Sequence, residues 1–429
     1  MRKLLVFIFA AIFIFSTAIA FAGGPDTSNE ELLREIRALK ARILELETRL
    51  MKQEQRLDKA EDAVIEEYPL ASITEGLSIG AGATFVIQGT DEINEDSVTS
   101  GDAVTDMTYS VDLEIEKKFE DYGKALIHLE TGDGAGVEDE LTVFSNVNRD
   151  ADDSDNSVSV TEVWYEHYPQ NLLLTVTAGK IDPTGYIDTN EYANDECSQF
   201  LGRIFRNSPV IEFPDNSVGG RIAIEPTDFM DVELLAMDAD SDWENIFSST
   251  FIAGQINLKP NLLGRPGNYR VLGWIDDRDH TKWNDSTQKE EEGLGFGISF
   301  DQEFTDNIGA FVRYGWQDPK QRLNGLTNDF SLEHSWSTGL QISGAIWGRD
   351  DDVFALAVGQ ATPSPDYEDA GTNLEAKDEG HFEAYYSYKV NDHLTLSPDI
   401  QIIWNPYGCD AAIGDDTISV YGMRAQVGF

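Results

Sequence analysis

Six histidines, two cysteines and 78 carboxylates are the side chains of this chain with chemistry to offer. His128, His167, His280, His334, His381 and His393 are scattered, and none keeps metal-ligand spacing to another ligand, so no metal centre is expected. Asp150, Asp152, Asp153 and Asp155 sit at spacings that could take Ca²⁺, yet the run lacks the turn glycine and terminal Glu of an EF-hand loop. It reads as a solvated acidic loop, with Ca²⁺ the only ion it invites and no cofactor expected. Cys197 and Cys409 could pair in an oxidising compartment if their Cα atoms come within bridging distance. Gly293-Leu294-Gly295-Phe296-Gly297 lies inside an alternating stretch, not between strand and helix. It therefore reads as small residues on a wall that stays open, not as a phosphate cradle. No Ser/His/Asp or two-carboxylate arrangement can be placed, so the chain does not read as an enzyme.

The elements that would position these residues are mostly strands. Mean hydropathy is −0.33, and no apolar run after the first two dozen positions reaches the roughly 20 residues of a membrane-spanning helix. A low value is also what a transmembrane barrel gives, since only alternate strand residues face lipid. From Ile73 to the end the apolar period is 2. Sixteen runs follow, near 75–91, 105–120, 122–132, 157–168, 171–182, 217–226, 229–239, 249–259, 267–277, 292–303, 306–317, 333–347, 352–361, 380–390, 392–405 and 416–429. In the last, Tyr421, Met423, Ala425, Val427 and Phe429 oppose Gly422, Arg424, Gln426 and Gly428. Aromatics gather toward strand ends, as girdles at two lipid interfaces would. Short connections at Thr305-Asp306 and Asn391-Asp392 suit periplasmic turns. The stretches 133–156, 183–216, 278–291, 318–332, 362–379 and 406–415 suit extracellular loops. The pattern predicts an all-β transmembrane barrel of about sixteen antiparallel strands over 73–429, contacting outer-membrane lipid.

The N-terminal residues are of another kind. Arg2 and Lys3 precede the apolar run Leu4–Phe15, and small residues follow at Ala18, Ala20 and Ala22, which predicts a cleaved export signal over 1–22. Residues 29–66 carry a heptad with Ile36, Ile43, Leu50, Leu57 and Val64 at a, predicting a short α-helical coiled coil on the periplasmic side. Ile at a with Leu at d favours two strands, whereas Arg42-Ile43-Leu44-Glu45-Leu46-Glu47 resembles a motif of three-stranded coils; the expectation is a homotrimer. If helical throughout, the segment is about 55 Å long, which admits an envelope-tethering role as an alternative. The formal charge of −47 excludes nucleic acid as a partner.

Four segments resemble the carbohydrate-selective porin (OprB) family. They are Gly179-Lys180-Ile181-Asp182 through Gln199-Phe200-Leu201, Gly344-Ala345-Ile346-Trp347-Gly348-Arg349-Asp350-Asp351-Asp352, Glu383-Ala384-Tyr385-Tyr386, and Ser397-Pro398-Asp399 through Trp404-Asn405-Pro406. The resemblance covers about residues 75–429 and implies a sixteen-stranded outer-membrane barrel with passive uptake of small hydrophilic solutes, sugars foremost. Inward or loop-borne Arg203, Arg206, Arg221, Arg313, Arg349 and Arg424 are the pore candidates, with Asp188, Asp195, Glu196 and Asp399 as facing carboxylates. Only 31 basic residues weigh against a phosphate- or anion-selective pore, the other alternative. Phe429 looks like the terminal aromatic that barrel-assembly machinery recognises.

Overall fold

The computed structural model describes Lys40 and residues 74–429, apart from 95–102, 152–155, 170–171, 284, 286, 288–290, 320, 324–331, 371–375 and 410–416. The chain divides into two units, Met1–Glu75 and Gly76–Phe429. Ahead of Thr74 only Lys40 is described, as an exposed helical residue, so the expected export signal and the heptad lie outside the described residues.

All sixteen expected strands form in the second unit. They are β1 (Leu77–Thr90), β2 (Thr105–Phe119), β3 (Gly123–Asp133), β4 (Ser159–His167), β5 (Leu174–Ile181), β6 (Ser217–Thr227), β7 (Met230–Asp238) and β8 (Thr250–Leu258). Then come β9 (Arg265–Lys282), β10 (Glu291–Thr305), β11 (Ile308–Gln317), β12 (Leu332–Ser343), β13 (Val353–Pro363), β14 (Glu379–Asn391), β15 (Leu394–Trp404) and β16 (Thr417–Gly428). Two short pieces, Asn261–Leu262 and Gln321–Leu323, pair with the two ends of β9. Each strand runs antiparallel to the next, and Phe85 of β1 faces both Tyr109 of β2 and Ala425 of β16. The sheet therefore closes on itself, leaving no edge to aggregate.

Two boundaries differ from the sequence reading. The strand expected to run to residue 347 stops at Ser343, whose hydroxyl accepts the Ala345 amide at 3.3 Å and starts a 3₁₀ turn, Gly344–Trp347. The strand expected to end at 277 continues to Lys282, past a register shift between Asp276 and His280.

Burial is inverted relative to a water-soluble sandwich. Ile79, Met107, Leu234, Val271, Val312 and Tyr421 are exposed on the outside, while Ser110, Glu166, Gln255, Arg313, Glu383 and Arg424 are buried inside. Exposing an apolar band is unfavourable in water and favourable in lipid, so this surface fits a bilayer. Among the described residues no helix is long and apolar enough to cross a membrane. Short connections such as 120–122, 228–229, 306–307 and 392–393 share one rim with both ends of the barrel chain. There the Phe429 amide donates to the Ala81 carbonyl, and the Gly428 amide to His393, each at 2.9 Å. The opposite rim carries the long connections, including 134–158 and 182–216.

Candidate pore and its constricting loop

The connection 182–216 turns into the barrel because its first residues are built to bend. Asp182 caps a 3₁₀ turn, Pro183–Gly185, accepting the Thr184 amide at 2.8 Å, and Pro183 supplies a fixed φ where no amide is needed. Asp188 then adopts φ +62°, a left-handed conformation that Asp tolerates better than most side chains. On either side of it Ile187, Phe200, Ile204, Phe205 and Ile211 are almost wholly buried, and they cluster with Phe311, Leu235, Ala355, Ala357 and Tyr385 of the wall; Leu201 is buried as well. Phe200 lies 5.1 Å from the Tyr385 ring, edge-on, and 5.9 Å from Phe311. The loop thus carries an apolar core into the lumen and fills one side of it.

Inward glycines make the seats. A Cβ at Gly309 would stand 2.0 Å from the Tyr192 ring, and one at Gly315 2.3 Å from Ser208 Oγ. The glycines of the 293–297 run were expected to hold the wall open. Their space is instead taken: a Cβ at Gly295 would meet the Trp274 indole at 2.1 Å, and one at Gly293 would meet Glu212 at 2.3 Å and His280 at 2.7 Å.

Polar clamps fix the loop. Arg313 donates from Nε to Asp188 Oδ1 at 3.0 Å and from Nη2 to the carbonyls of Asp188 and Ala193 at 2.8 and 3.1 Å; its Nη1 reaches the Phe205 carbonyl. Both partners are 1% exposed. Burial raises the Asp188 carboxyl above the ordinary carboxylate range, opposed by the Arg313 charge. Glu383 accepts the amides of Leu201 and Gly202 at 2.7 and 2.9 Å, and Arg424 donates to the carbonyls of Glu196 and Gln199 at 2.7 and 2.8 Å. The 134–158 connection is tied in as well. Glu379 accepts the amides of Phe144, Ser145 and Tyr407 at 2.8, 3.0 and 2.7 Å, and the Arg149 amide donates to the Leu201 carbonyl at 2.8 Å.

What the loops leave open is a cavity of ≈ 1030 Å³ against the wall of β1 to β4 and Gln426 of β16. Strands contribute Asp112, Glu114, His128, Glu130 and Glu162; the loops contribute Arg149, Asp150, Asp182, Asp195, Glu196, Cys197, Arg206 and Asp215. His128 Nε2 lies 2.9 Å from Asp112 Oδ1 and its Nδ1 3.9 Å from Glu162 Oε1. Asp150 Oδ1 accepts from Ser110 Oγ at 3.0 Å and from the Cys197 thiol at 3.2 Å. Burial pushes the Asp150 carboxyl up to about 7, and burial among carboxylates raises the Cys197 thiol too. Cys197 is a free thiol; the side chain of Cys409 lies outside the described residues, as do Asp152, Asp153 and Asp155.

The ten candidate charges separate into groups. Asp195, Glu196 and Arg206 line the cavity, with Arg206 Nε donating to Glu196 at 2.6 Å. Asp188, Arg313 and Arg424 anchor the loop. Asp399, also buried, accepts from Gln401 at 3.0 Å. Arg203 sits on the four-residue helix Arg203–Arg206, its amide bonded to Asn146. Arg221 stacks on Tyr186 at 4.6 Å and pairs with Glu233 at 2.8 Å, away from the cavity lining. Arg349 is not brought to the lumen. It sits in the 344–352 turn on the rim of short connections, bonded to Asp352 and stacked on Tyr388 at 4.1 Å.

The sequence reading missed Asp112, Glu114, His128, Glu130, Glu162 and Asp215, although strand alternation assigns those of β2 to β4 to polar faces. It also missed Glu212, Asp276 and His280, buried within 4.8 Å of one another. His280 lies 2.9 Å from Glu212, while Arg278 Nε caps both Asp276 oxygens at 3.1 and 2.8 Å. With the Asp276 oxygens so occupied, the group acts as a latch between the end of the loop and β9.

The model of the carbohydrate-selective porin, OprB family, matches residues 101–429. Among solved structures, the chain is similar to the high-pH structure of Pseudomonas putida OprB (TM-score 0.71, 15% identity, covering 84% of this chain and 96% of that one). It is also similar to the DcaP channel of Acinetobacter baumannii (TM-score 0.51, 11% identity, covering 82% and 97%). At these identities the two show the fold. Porin AaxA of Chlamydia abortus is 24% identical over 270 residues, 60% of this chain and 54% of that protein. An uncharacterised Aquifex aeolicus protein is 25% identical over 228 residues, 53% and 59%. The chain thus spans somewhat more than half the length of these two relatives. A family match over most of the barrel, on a closed sixteen-stranded wall with a loop folded into its lumen, places the chain in the OprB family of carbohydrate-selective porins, channel proteins of the bacterial outer membrane.

Proposed function

We propose that the protein lets small hydrophilic solutes, carbohydrates among them, diffuse passively across the outer membrane through the space between the inserted loop and the β1 to β4 wall. The observation that carries this reading is the ≈ 1030 Å³ cavity itself, lined almost throughout by hydrogen-bonding side chains. Carboxylates, His128, Arg149 and Arg206 can exchange hydrogen bonds with hydroxyls that leave water at the narrow point. Purified protein in planar bilayers is expected to form channels whose conductance falls when monosaccharide is added, and proteoliposomes should swell in isosmotic sugar. Absence of channels would sink the reading.

The anion-selective alternative loses ground, because few cationic groups line the cavity. The reading extends to the chain ends. Residues 29–66 would hold three barrels together from the periplasm, which accords with the barrel chain starting on the rim of short connections. Phe429, exposed at that same rim, would be the assembly signal. Deleting 29–66 should leave folded barrels as monomers in detergent, whereas deleting Phe429 should lower the yield of inserted barrel. Trimers without 29–66, or normal insertion without Phe429, would count against the respective role.

A further inference from the structure

The cavity is charged one way. Among the described residues nine carboxylates line it against two arginines and one histidine. One arginine, Arg206, is already bonded to Glu196 at 2.6 Å, and His128 stands between Asp112 and Glu162. Glu114 of the strand wall and Asp215 of the loop are exposed within it, so the excess charge faces both sides of the open space. A second observation concerns Asp150. Asp150 is only 8% exposed and lines the cavity, yet among the described residues its Oδ2 has no hydrogen-bond partner, while Oδ1 accepts from Ser110 and Cys197. A carboxylate oxygen buried without a donor is costly, and positive charge in the adjoining cavity lowers that cost through its field.

Walls of low dielectric focus such a field, and carboxylate-lined constrictions pass cations in preference to anions. We infer that this channel selects small hydrophilic cations, amines of about monosaccharide size, over neutral and anionic solutes of the same dimensions. The ammonium would move between carboxylates on the two sides, while its hydroxyls keep the hydrogen bonds that a neutral sugar would make. This rests on the porin reading and narrows its cargo.

The full chain in a planar bilayer with a KCl gradient gives the first test. The expected zero-current potential corresponds to a K⁺ over Cl⁻ preference on the order of tenfold at low salt, shrinking as salt screens the wall. Swelling of proteoliposomes gives the second, with glucosamine expected to enter faster than glucose and glucose faster than gluconate. The triple variant Glu114→Gln, Asp150→Asn, Asp215→Asn should lose several-fold of the ionic preference. Its three changes preserve side-chain size, and two are at exposed positions. Equal rates for the three sugars, a preference at or below unity in the parent channel, or an undiminished preference in the variant would overturn the inference while leaving the porin standing. Failure to form channels at all would remove both.

Discussion

Arg313→Ala is expected to produce a wider and noisier channel, with the inserted loop loosened. One guanidinium holds three points of the loop, at Asp188, Ala193 and Phe205, from a strand more than a hundred residues away. Truncating it also strands the Asp188 carboxylate in a site where it is 1% exposed. Breaking a buried ion pair by removing one partner costs about 3–5 kcal/mol, mostly through the charge left behind. That exceeds what the rest of a loop can absorb without shifting, whereas the barrel itself is held by antiparallel ladders that close on themselves. Single-channel conductance and open-channel noise should both rise, and protease should cut within 182–216 while the strands stay protected. Arg313→Lys should recover little, since an ammonium lacks the planar fork that reaches several acceptors at once. Adding Asp188→Asn to Arg313→Ala should restore part of the loss, because no unpaired charge then remains. Unchanged conductance and noise in Arg313→Ala would show that the apolar core of the loop suffices to hold it.

The strands were legible because their signal is local. Alternation in β11 and β16 put Val312 and Met423 outside and Arg313 and Arg424 inside, where the structure has them. The roles of those arginines were not legible. An inward guanidinium reads as a pore residue until the loop is known to fold back onto it, and the contact between Asp188 and Arg313 spans 125 residues. Arg349 misled for the opposite reason: it lies in a segment resembling the family, but the connection that carries it is on the rim of short connections, where it bonds Asp352 and not the inserted loop. The glycines of β10 were read as keeping the wall open, because sequence pattern cannot say what occupies the room they make, here Trp274, Glu212 and His280. The acidic wall was present in the overall charge but diluted across the chain. Only the pairing of β2 with β3 and of β3 with β4 gathers Asp112, His128 and Glu162 into one patch.

Glu383→Leu should act on the same loop through its backbone. Glu383 is fully buried on β14 and accepts the Leu201 and Gly202 amides just where the loop enters its short helix. Gly202 is part of the fit, because a Cβ there would come within 2.9 Å of Glu383 Oε2. Removing the carboxylate leaves two buried amides without acceptors, at about 1–3 kcal/mol each. Gly202 and Leu201 cannot turn to water, since both are buried. The segment is therefore expected to leave its seat part of the time, giving stepwise conductance fluctuations absent from the parent channel. Glu383→Gln keeps one acceptor oxygen but sets an amide NH₂ against a donor, so its fluctuations should be intermediate. Glu379→Leu supplies the control for place: it strips three amides at Phe144, Ser145 and Tyr407, in the 134–158 and 405–416 connections, not in 182–216. If the inserted loop is the gate, protease should open 182–216 in Glu383→Leu and 134–158 in Glu379→Leu. Identical cleavage patterns would mean that the two loops move as one body, which the bond from the Arg149 amide to the Leu201 carbonyl would then explain.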